Sequence, residues 1–206
     1  MVIIGLTGSI GMGKTTAGKL LKQIGVPVCE SDVLVHSFMK EGGSAVPQIA
    51  KAFPGVVQGN KVDRDVLGKI VFQDTGALRR LEGIIHPLVW AGQKKFLKSV
   101  SCSGHRMAVL DVPLLYENSS EQKCDFVIVI TAPEFLQRQR VMKRKGMTEA
   151  RFRGTLDHQM RDIEKQKRAD FVVQSGLGRR HTLKALKTIV KIVGLTREKK
   201  WKPGWQ

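Results

Sequence analysis

The sequence predicts a doubly wound α/β domain, a parallel sheet of about five strands with helices on both faces. Three observations predict it. Short apolar runs alternate with helical patterns along the chain. The runs 107–111 and 126–130 are almost wholly apolar, as strands covered on both faces must be. The first run, 2–7, passes through a glycine-rich turn directly into an amphipathic helix, the local order that puts a loop at a sheet's carboxyl edge, where such folds bind ligands.

In chain order, the apolar runs place strands at 2–7, 26–30, 107–111, 125–131 and 170–173. Helical periodicity places helices at 14–24, 63–73, 77–97, 133–145 and 182–193. The first helix carries Ala17, Leu20, Leu21 and Ile24 on one stripe; the third carries Leu78, Leu81, Ile85 and Leu88; the last carries Leu183, Leu186, Val190 and Val193. Pro87 has no N–H to give a helix and is expected to bend or interrupt the one that contains it. Thr131-Ala-Pro-Glu134 has the shape of a helix start, with Pro near the first position and an acid in the first turn. The stretch 31–106 is mostly helical and reads as an insert riding on the sheet; the tail 197–206 is expected to fray.

A chain of 206 residues with 42% hydrophobic content suits one domain, or one with a small insert. Its net charge of +17 is unevenly spread. Residues 138–168 hold eleven Lys/Arg against four Asp/Glu, and residues 179–206 hold nine against one, so the rest of the chain is nearly neutral. That excess suits polyanionic partners. A nucleic-acid-binding ATPase fits the charge, but the aromatic residues that stack bases are sparse: one Tyr in the chain, and two of three Trp in the last six residues. Cys29, Cys102 and Cys124 form no C-x-x-C pair, and His36, His86, His105, His158 and His181 lack metal-ligand spacing, which argues against a disulfide framework or a zinc site. The first apolar run is too short for a signal peptide, and no run approaches the ~18 apolar residues of a membrane span. A reducing, cytoplasmic location is the expectation.

The chemistry centres on Gly8-Ser-Ile-Gly-Met-Gly-Lys14-Thr15, a complete G-x-x-x-x-G-K-[ST] loop. Its glycines let backbone N–H groups turn inward around a phosphate at a helix N-terminus. Lys14 would reach the β- and γ-phosphates of ATP, and the Thr15 hydroxyl would hold Mg²⁺. Asp32, just past the second strand, can take the proton of an attacking hydroxyl, can cap the helix that follows, or can do both. Asp111, ending the third strand, is placed to hold Mg²⁺ or to bind substrate. The basic stretch Arg138, Arg140, Lys143, Arg144, Lys145, Arg151, Arg153 and Arg161 suits a closing lid, with Gly146 as hinge; Arg140 and Arg144, spaced i,i+4, would share a helix face and meet the transferring group. Asn60-Lys-Val-Asp63 and Asp65-Val-Leu-Gly68 imitate guanine-nucleotide motifs but abut in reverse order and follow turn-like sequence, which excludes that reading.

At the level of longer motifs the chain resembles the dephospho-coenzyme A kinase family. The resemblance runs through Gly5-Leu-Thr-Gly-Ser-Ile-Gly-Met-Gly-Lys-Thr15, Asp63-Arg64-x-x-Leu67-x-x-x-Val71-Phe72, Leu81-Glu82-x-Ile84-x-His86-Pro87 and Asp111-Val-Pro-Leu-Leu-Tyr-Glu117. It continues through Gln137, Arg138, Arg140, Arg144, Gln159 and Ala169-Asp170, and covers residues 1 to 176. It implies transfer of the ATP γ-phosphoryl group to the ribose 3′-hydroxyl of dephospho-coenzyme A with Mg²⁺, on a P-loop kinase-type fold. That fold would have a nucleotide-binding core (1–31, 105–137, 168–206), a mostly helical substrate region (32–104) and a basic lid (138–167). ATP would be bound by Gly8, Gly11, Met12, Gly13, Lys14, Thr15, Thr16, Arg140 and Arg144. Lys14, Asp32 and Arg140 would be catalytic, Asp32, Arg64, His86 and Asp111 would bind the acceptor, and Thr15 and Asp111 would hold the metal. The partners implied are these two small molecules, with no membrane and no specific nucleic acid. The sequence departs from the family pattern at Ser9, Met12, Glu30, Tyr116 and Gln174.

Overall fold

The computed structural model describes residues 1–195 and Trp201; the fraying expected of 197–206 lies, Trp201 apart, outside the described residues. Its elements are β1 (Val2–Thr7), α1 (Lys14–Gln23), β2 (Val28–Glu30), α2 (Ser31–Phe38), α3 (Val46–Ala52), β3 (Val57–Gln58), β4 (Lys61–Val62), α4 (Arg64–Gln73), α5 (Thr75–Cys102), β5 (Met107–Asp111), β6 (Phe126–Thr131), α6 (Glu134–Met142), α7 (Glu149–Asp157), α8 (Asp162–Arg168), β7 (Phe171–Gln174) and α9 (Arg179–Gly194). The chain divides into two compact units, Met1–Cys29 with Val100–Gln206, and Glu30–Ser99.

The first unit is the parallel sheet the sequence predicts, in the order β2-β5-β1-β6-β7. β1 pairs in parallel with β5 and β6, and β6 with β7. All six residues of β1 are buried, which is why its sequence is an unbroken apolar run. One core cluster joins Ile4, Leu6, Val109, Ile128 and Ile130 of the sheet to Leu20 and Leu21 of α1 and Leu186 and Val193 of α9. β2 begins at Val28 rather than 26: Val26 donates to Leu21 O at the end of α1, and Pro27 has no N–H for a ladder, though its carbonyl accepts from Val109 N. At the opposite end of the sheet from the loop, Asp125 accepts from Ile3 N at 2.6 Å and Asp170 from Val127 N at 2.8 Å. Asp170, part of the family-like pattern, therefore serves the strands and not the chemistry.

α6 ends at Met142, three residues before the predicted end, and the chain turns through Lys143 to Gly146, which has φ +74°. Arg144 thus lies beyond the helix, and the i,i+4 face it was to share with Arg140 does not exist. Pro133 is the N-cap of α6, one place outside the predicted helix start.

The second unit packs α2 to α5 around Met39, Val46, Ile49, Phe53, Val56, Leu67 and Ile85. A small hairpin, β3 with β4, sits among them and was not foreseen; its turn residues Gly59 and Asn60 have φ of 54° and 57°, the left-handed pair that a two-residue hairpin needs. Asp63 caps α4 by accepting from Asp65 N and Val66 N, so the aspartate that ends the first guanine-like motif has structural work. α5 runs unbroken from 75 to 102. Pro87 does not interrupt it; Pro87 and Gly83, whose carbonyl the missing N–H would have served, both lie on its exposed side, where solvent can reach that carbonyl.

Candidate active site

The turn after β1 is shaped by close approach. A Cβ on Gly8 would stand 2.5 Å from the Ile130 carbonyl oxygen on β6, and one on Gly11, at φ +77°, would stand 2.6 Å from Val141 Cγ2 on α6. Only glycine fits either place. Gly13 then caps α1, which has no side-chain cap and no acid in its first turn. Its first N–H groups are left for an anion. Thr15 and Thr16 are exposed on that first turn.

Lys14 reaches across to the neighbouring strand. Its Nζ donates to Asp111 Oδ1 at 2.5 Å, with the two side chains 14% and 5% exposed. Asp111 is brought there by the parallel register that sets it opposite Leu6 at the end of β5. The sequence names both residues but not their pairing.

Four side chains hold the loop from outside. Gln137 Nε2 donates to Ile10 O at 2.8 Å, and Gln159 Oε1 accepts from Ile10 N at 3.0 Å. Arg140 Nη1 donates to Gly11 O at 3.3 Å and to Ser175 Oγ at 2.9 Å, and Ser175 Oγ donates to Met12 O at 2.6 Å. Met12, a departure from the family pattern, is buried, and its Sδ accepts from Ala132 N. Arg140, which the sequence assigns to a lid, is thus held against the back of the loop. Arg144 is exposed in the turn after α6. Three other basic residues of the stretch have local partners: Arg138 with Glu149, Arg151 with Gly146 O at 2.7 Å, and Arg161 with Glu164. The Arg138 hydrogen bond pulls the Glu149 carboxyl below the usual carboxylate range.

Asp32, Arg64 and His86 belong to the second unit. Asp32 is the second residue of α2 and exposed; the cap position belongs to Glu30, so Asp32 is not the N-cap. Arg64 opens α4, with Nη1 2.6 Å from His36 Nδ1. The two border a cavity of about 940 Å³ lined as well by Lys40 and Lys61 and by the acids Glu41, Asp63 and Asp65. His86 is exposed on α5 and is not among that cavity's lining residues. The sequence alone did not pair His36 with Arg64, although its place one helical turn after Asp32 was a usable signal. No group of three His, Cys, Asp or Glu among the described residues could hold a metal ion by itself. No described helix is long and apolar enough to cross a membrane.

A sequence profile of the dephospho-CoA kinase family matches residues 2–178. The chain belongs to the dephospho-CoA kinase family. It is 50% identical over 166 residues to a dephospho-CoA kinase of Paramagnetospirillum magneticum, covering 81% of this chain and 78% of that one. It is 45% identical over 194 residues to that of Agrobacterium fabrum, covering 94% and 99%. Among solved structures, one from Thermus thermophilus superposes with a TM-score of 0.82 at 31% identity, covering 95% of this chain and 98% of that one. The dephospho-CoA kinase of Campylobacter jejuni gives 0.68 at 23% identity over 93% and 96%, a likeness of fold. Membership makes the chain an ATP-dependent kinase and its sheet a P-loop kinase core.

Proposed function

We propose that the chain transfers the γ-phosphoryl group of ATP to the ribose 3′-hydroxyl of dephospho-coenzyme A, giving coenzyme A and ADP, through the residues of the loop, β5, α2 and α6. One observation carries the reading: a glycine loop leads into a helix start with no acidic or capping side chain, and the lysine of that loop rests on the carboxylate that ends the adjacent strand.

When ATP enters, the N–H groups of the loop and of α1 take its phosphate oxygens, and Lys14 exchanges Asp111 for the β- and γ-phosphates. The Thr15 hydroxyl and the Asp111 carboxylate are oxygen donors of the kind Mg²⁺ takes, and Mg²⁺ needs only one or two carboxylates beside phosphates and water, so the absence of a larger acidic cluster among the described residues fits. The bound ion supplies neutralisation of charge on the phosphate oxygens. Asp32 accepts the proton of the attacking hydroxyl. Arg140, already hydrogen-bonded to the loop, stabilises negative charge on the transferring group, and Gly8, Gly11, Met12, Gly13 and Thr16 shape the ATP site. The lid is drawn from within residues 138–167, with Arg144 closing on ATP.

The cavity bordered by Arg64, His36, Lys40 and Lys61 is lined as well by Glu41, Asp63 and Asp65, so its charges balance, and the acceptor's pyrophosphate is assigned there through Arg64 and not through an overall positive field. His86 is the weakest member of this assignment, since it lines no part of that cavity. Cys29 and Cys124, buried in the core, form no disulfide, which suits work in a reducing cytoplasm.

The test is a coupled assay of ATP turnover with Mg²⁺ and a panel of acceptors. Dephospho-coenzyme A alone should support it; phosphorylation of AMP or a nucleoside with dephospho-coenzyme A inert would overturn the assignment. Asp32→Asn should lose turnover while retaining ATP binding, and an equal loss of both would remove Asp32 from the role of base.

A further inference from the structure

Both peptide groups of one loop residue, Ile10, are held by glutamines: its N–H by Gln159, its carbonyl by Gln137. Gln137 is buried on α6. Gln159 lies between α7 and α8, and what fixes it there is unusual. The next backbone N–H, that of Met160, donates to Glu117 Oε1 at 2.8 Å. The same oxygen lies 2.8 Å from Lys165 Nζ, and Lys165 is fully buried on α8. α8 is fastened in turn to the end of β6: the Thr131 hydroxyl and Gln166 Nε2 both donate to Asp162 Oδ2 at 2.6 Å. A buried lysine paired with a carboxylate is costly to disturb. The backbone at 159–160 is therefore anchored to the sheet, although the sequence assigns it to the lid.

We propose that Gln159 is a positioning residue of the phosphate loop: it fixes the orientation of the Ile10 peptide from an anchored base, so that the lid proper moves only between the two glutamines, over 143–157. This rests on the reading of the loop as the ATP site. The residue type is part of the inference. Ile10 N–H needs an acceptor, and a carboxylate would supply one, but it would also set a negative charge against the loop that must receive a triphosphate. A glutamine supplies the oxygen without the charge.

The experiment compares Gln159→Leu, Gln159→Asn and Gln159→Glu in the full chain, using amide hydrogen exchange without nucleotide and then steady-state kinetics. Gln159 is half-buried, so all three should fold. Leu lacks the acceptor and Asn is one methylene too short to reach. Both should speed Ile10 exchange about three- to tenfold, the span of one neutral hydrogen bond. Exchange at Ile4 and Leu6 of β1 should not change. Both should raise KM for ATP by a similar factor with KM for dephospho-coenzyme A unchanged. Glu should keep Ile10 protected yet still weaken ATP binding. Unchanged Ile10 exchange in Leu and Asn would overturn the proposal, as would a loss of protection spread equally through β1, or a Glu variant that exchanges as fast as Leu. Exchange is read without ATP, so a wild-type protein that bound no ATP would defeat the functional reading and leave the clasp to be judged on Ile10 alone.

Discussion

Replacing Lys14 with methionine should cost stability as well as activity. Lys14 compensates a carboxylate that is only 5% exposed. Losing one partner of a buried pair costs about 3–5 kcal/mol because the other charge stays behind. Two features reduce that here. Lys14 is 14% exposed, so water reaches the vacated place, and Asp111 has a further interaction. A loss of about 2–3 kcal/mol is the expectation, against the ~5–15 kcal/mol that folded domains have in total, so Lys14→Met should remain folded. The methionine stem keeps the packing of the lysine methylenes, which isolates the charge. Urea unfolding of wild type, Lys14→Met, Asp111→Asn and the double variant gives the coupling. The double variant should recover most of the loss, since it removes both charges. ATP at a hundredfold excess over its dissociation constant should stabilise wild type by about 2.7 kcal/mol and Lys14→Met hardly at all. A Lys14→Met protein as stable as wild type, or a double variant no better than the single, would show that the pair does not form in solution.

Three further outcomes follow from other groups. Tyr116, the only tyrosine, should titrate at about 12, held up chiefly by burial and then by Asp170 and Glu121; its tyrosinate absorbance reads this directly, and a midpoint near 10 refutes it. Because the folded value is the higher one, the stabilisation is complete below pH 10 and is lost as pH rises from 10 towards 12, by up to about 2–3 kcal/mol. Tyr116→Phe should abolish that loss and, since the buried hydroxyl has no hydrogen-bond partner, should leave the protein at least as stable at neutral pH. The Arg138–Glu149 pair joins α6 to α7, and the folded Glu149 value is the lowered one, so its contribution is present above the ordinary 4.5 and lost as pH falls through the folded value. Proteolysis across 143–148 should accelerate there in wild type, and Glu149→Gln should show the faster cleavage at every pH. Arg64→Ala should raise KM for dephospho-coenzyme A about tenfold, the loss of one charge-assisted contact, and leave KM for ATP unchanged.

The sheet was legible because its central strands are buried on both faces, and burial on both faces writes itself as an unbroken apolar run. The loop was legible because its glycines, lysine and threonine stand in one short run of fixed spacing, although the neighbours that demand Gly8 and Gly11, Ile130 and Val141, lie far along the chain. What was not legible is how the loop is held. Gln137 and Gln159 reach Ile10 across 127 and 149 residues, and nothing in a glutamine's neighbours announces a hydrogen-bond partner so far away. The end of α6 was missed for the opposite reason. Lys143, Arg144 and Lys145 are all good helix formers, and the sequence offers no stop before Gly146, so propensity ran the helix past its true end. At Pro87 propensity erred the other way, since it registers the missing N–H and not the exposed face on which its absence costs little.

The Lys14–Asp111 contact also makes a prediction about ATP in the absence of metal. An empty site must give up this ion pair before Lys14 can meet a phosphate, so Asp111 competes with the nucleotide for the same ammonium. With Mg²⁺, on the proposed role of Asp111, the exchange would leave every charge compensated, since the carboxylate that Lys14 leaves would be a donor for the cation. Without Mg²⁺ it leaves Asp111 buried beside a triphosphate with nothing gained. Asp111→Asn removes the competitor and the repulsion together. In the presence of a chelator this variant should bind ATP more tightly than wild type, by about tenfold if one charged hydrogen bond is no longer surrendered. With Mg²⁺ present the order should reverse, because the variant has lost a metal donor. Calorimetric titration in both conditions reads the crossing. Weaker binding by Asp111→Asn under both conditions would mean that the carboxylate supports the nucleotide directly, and the partner exchange would have to be abandoned.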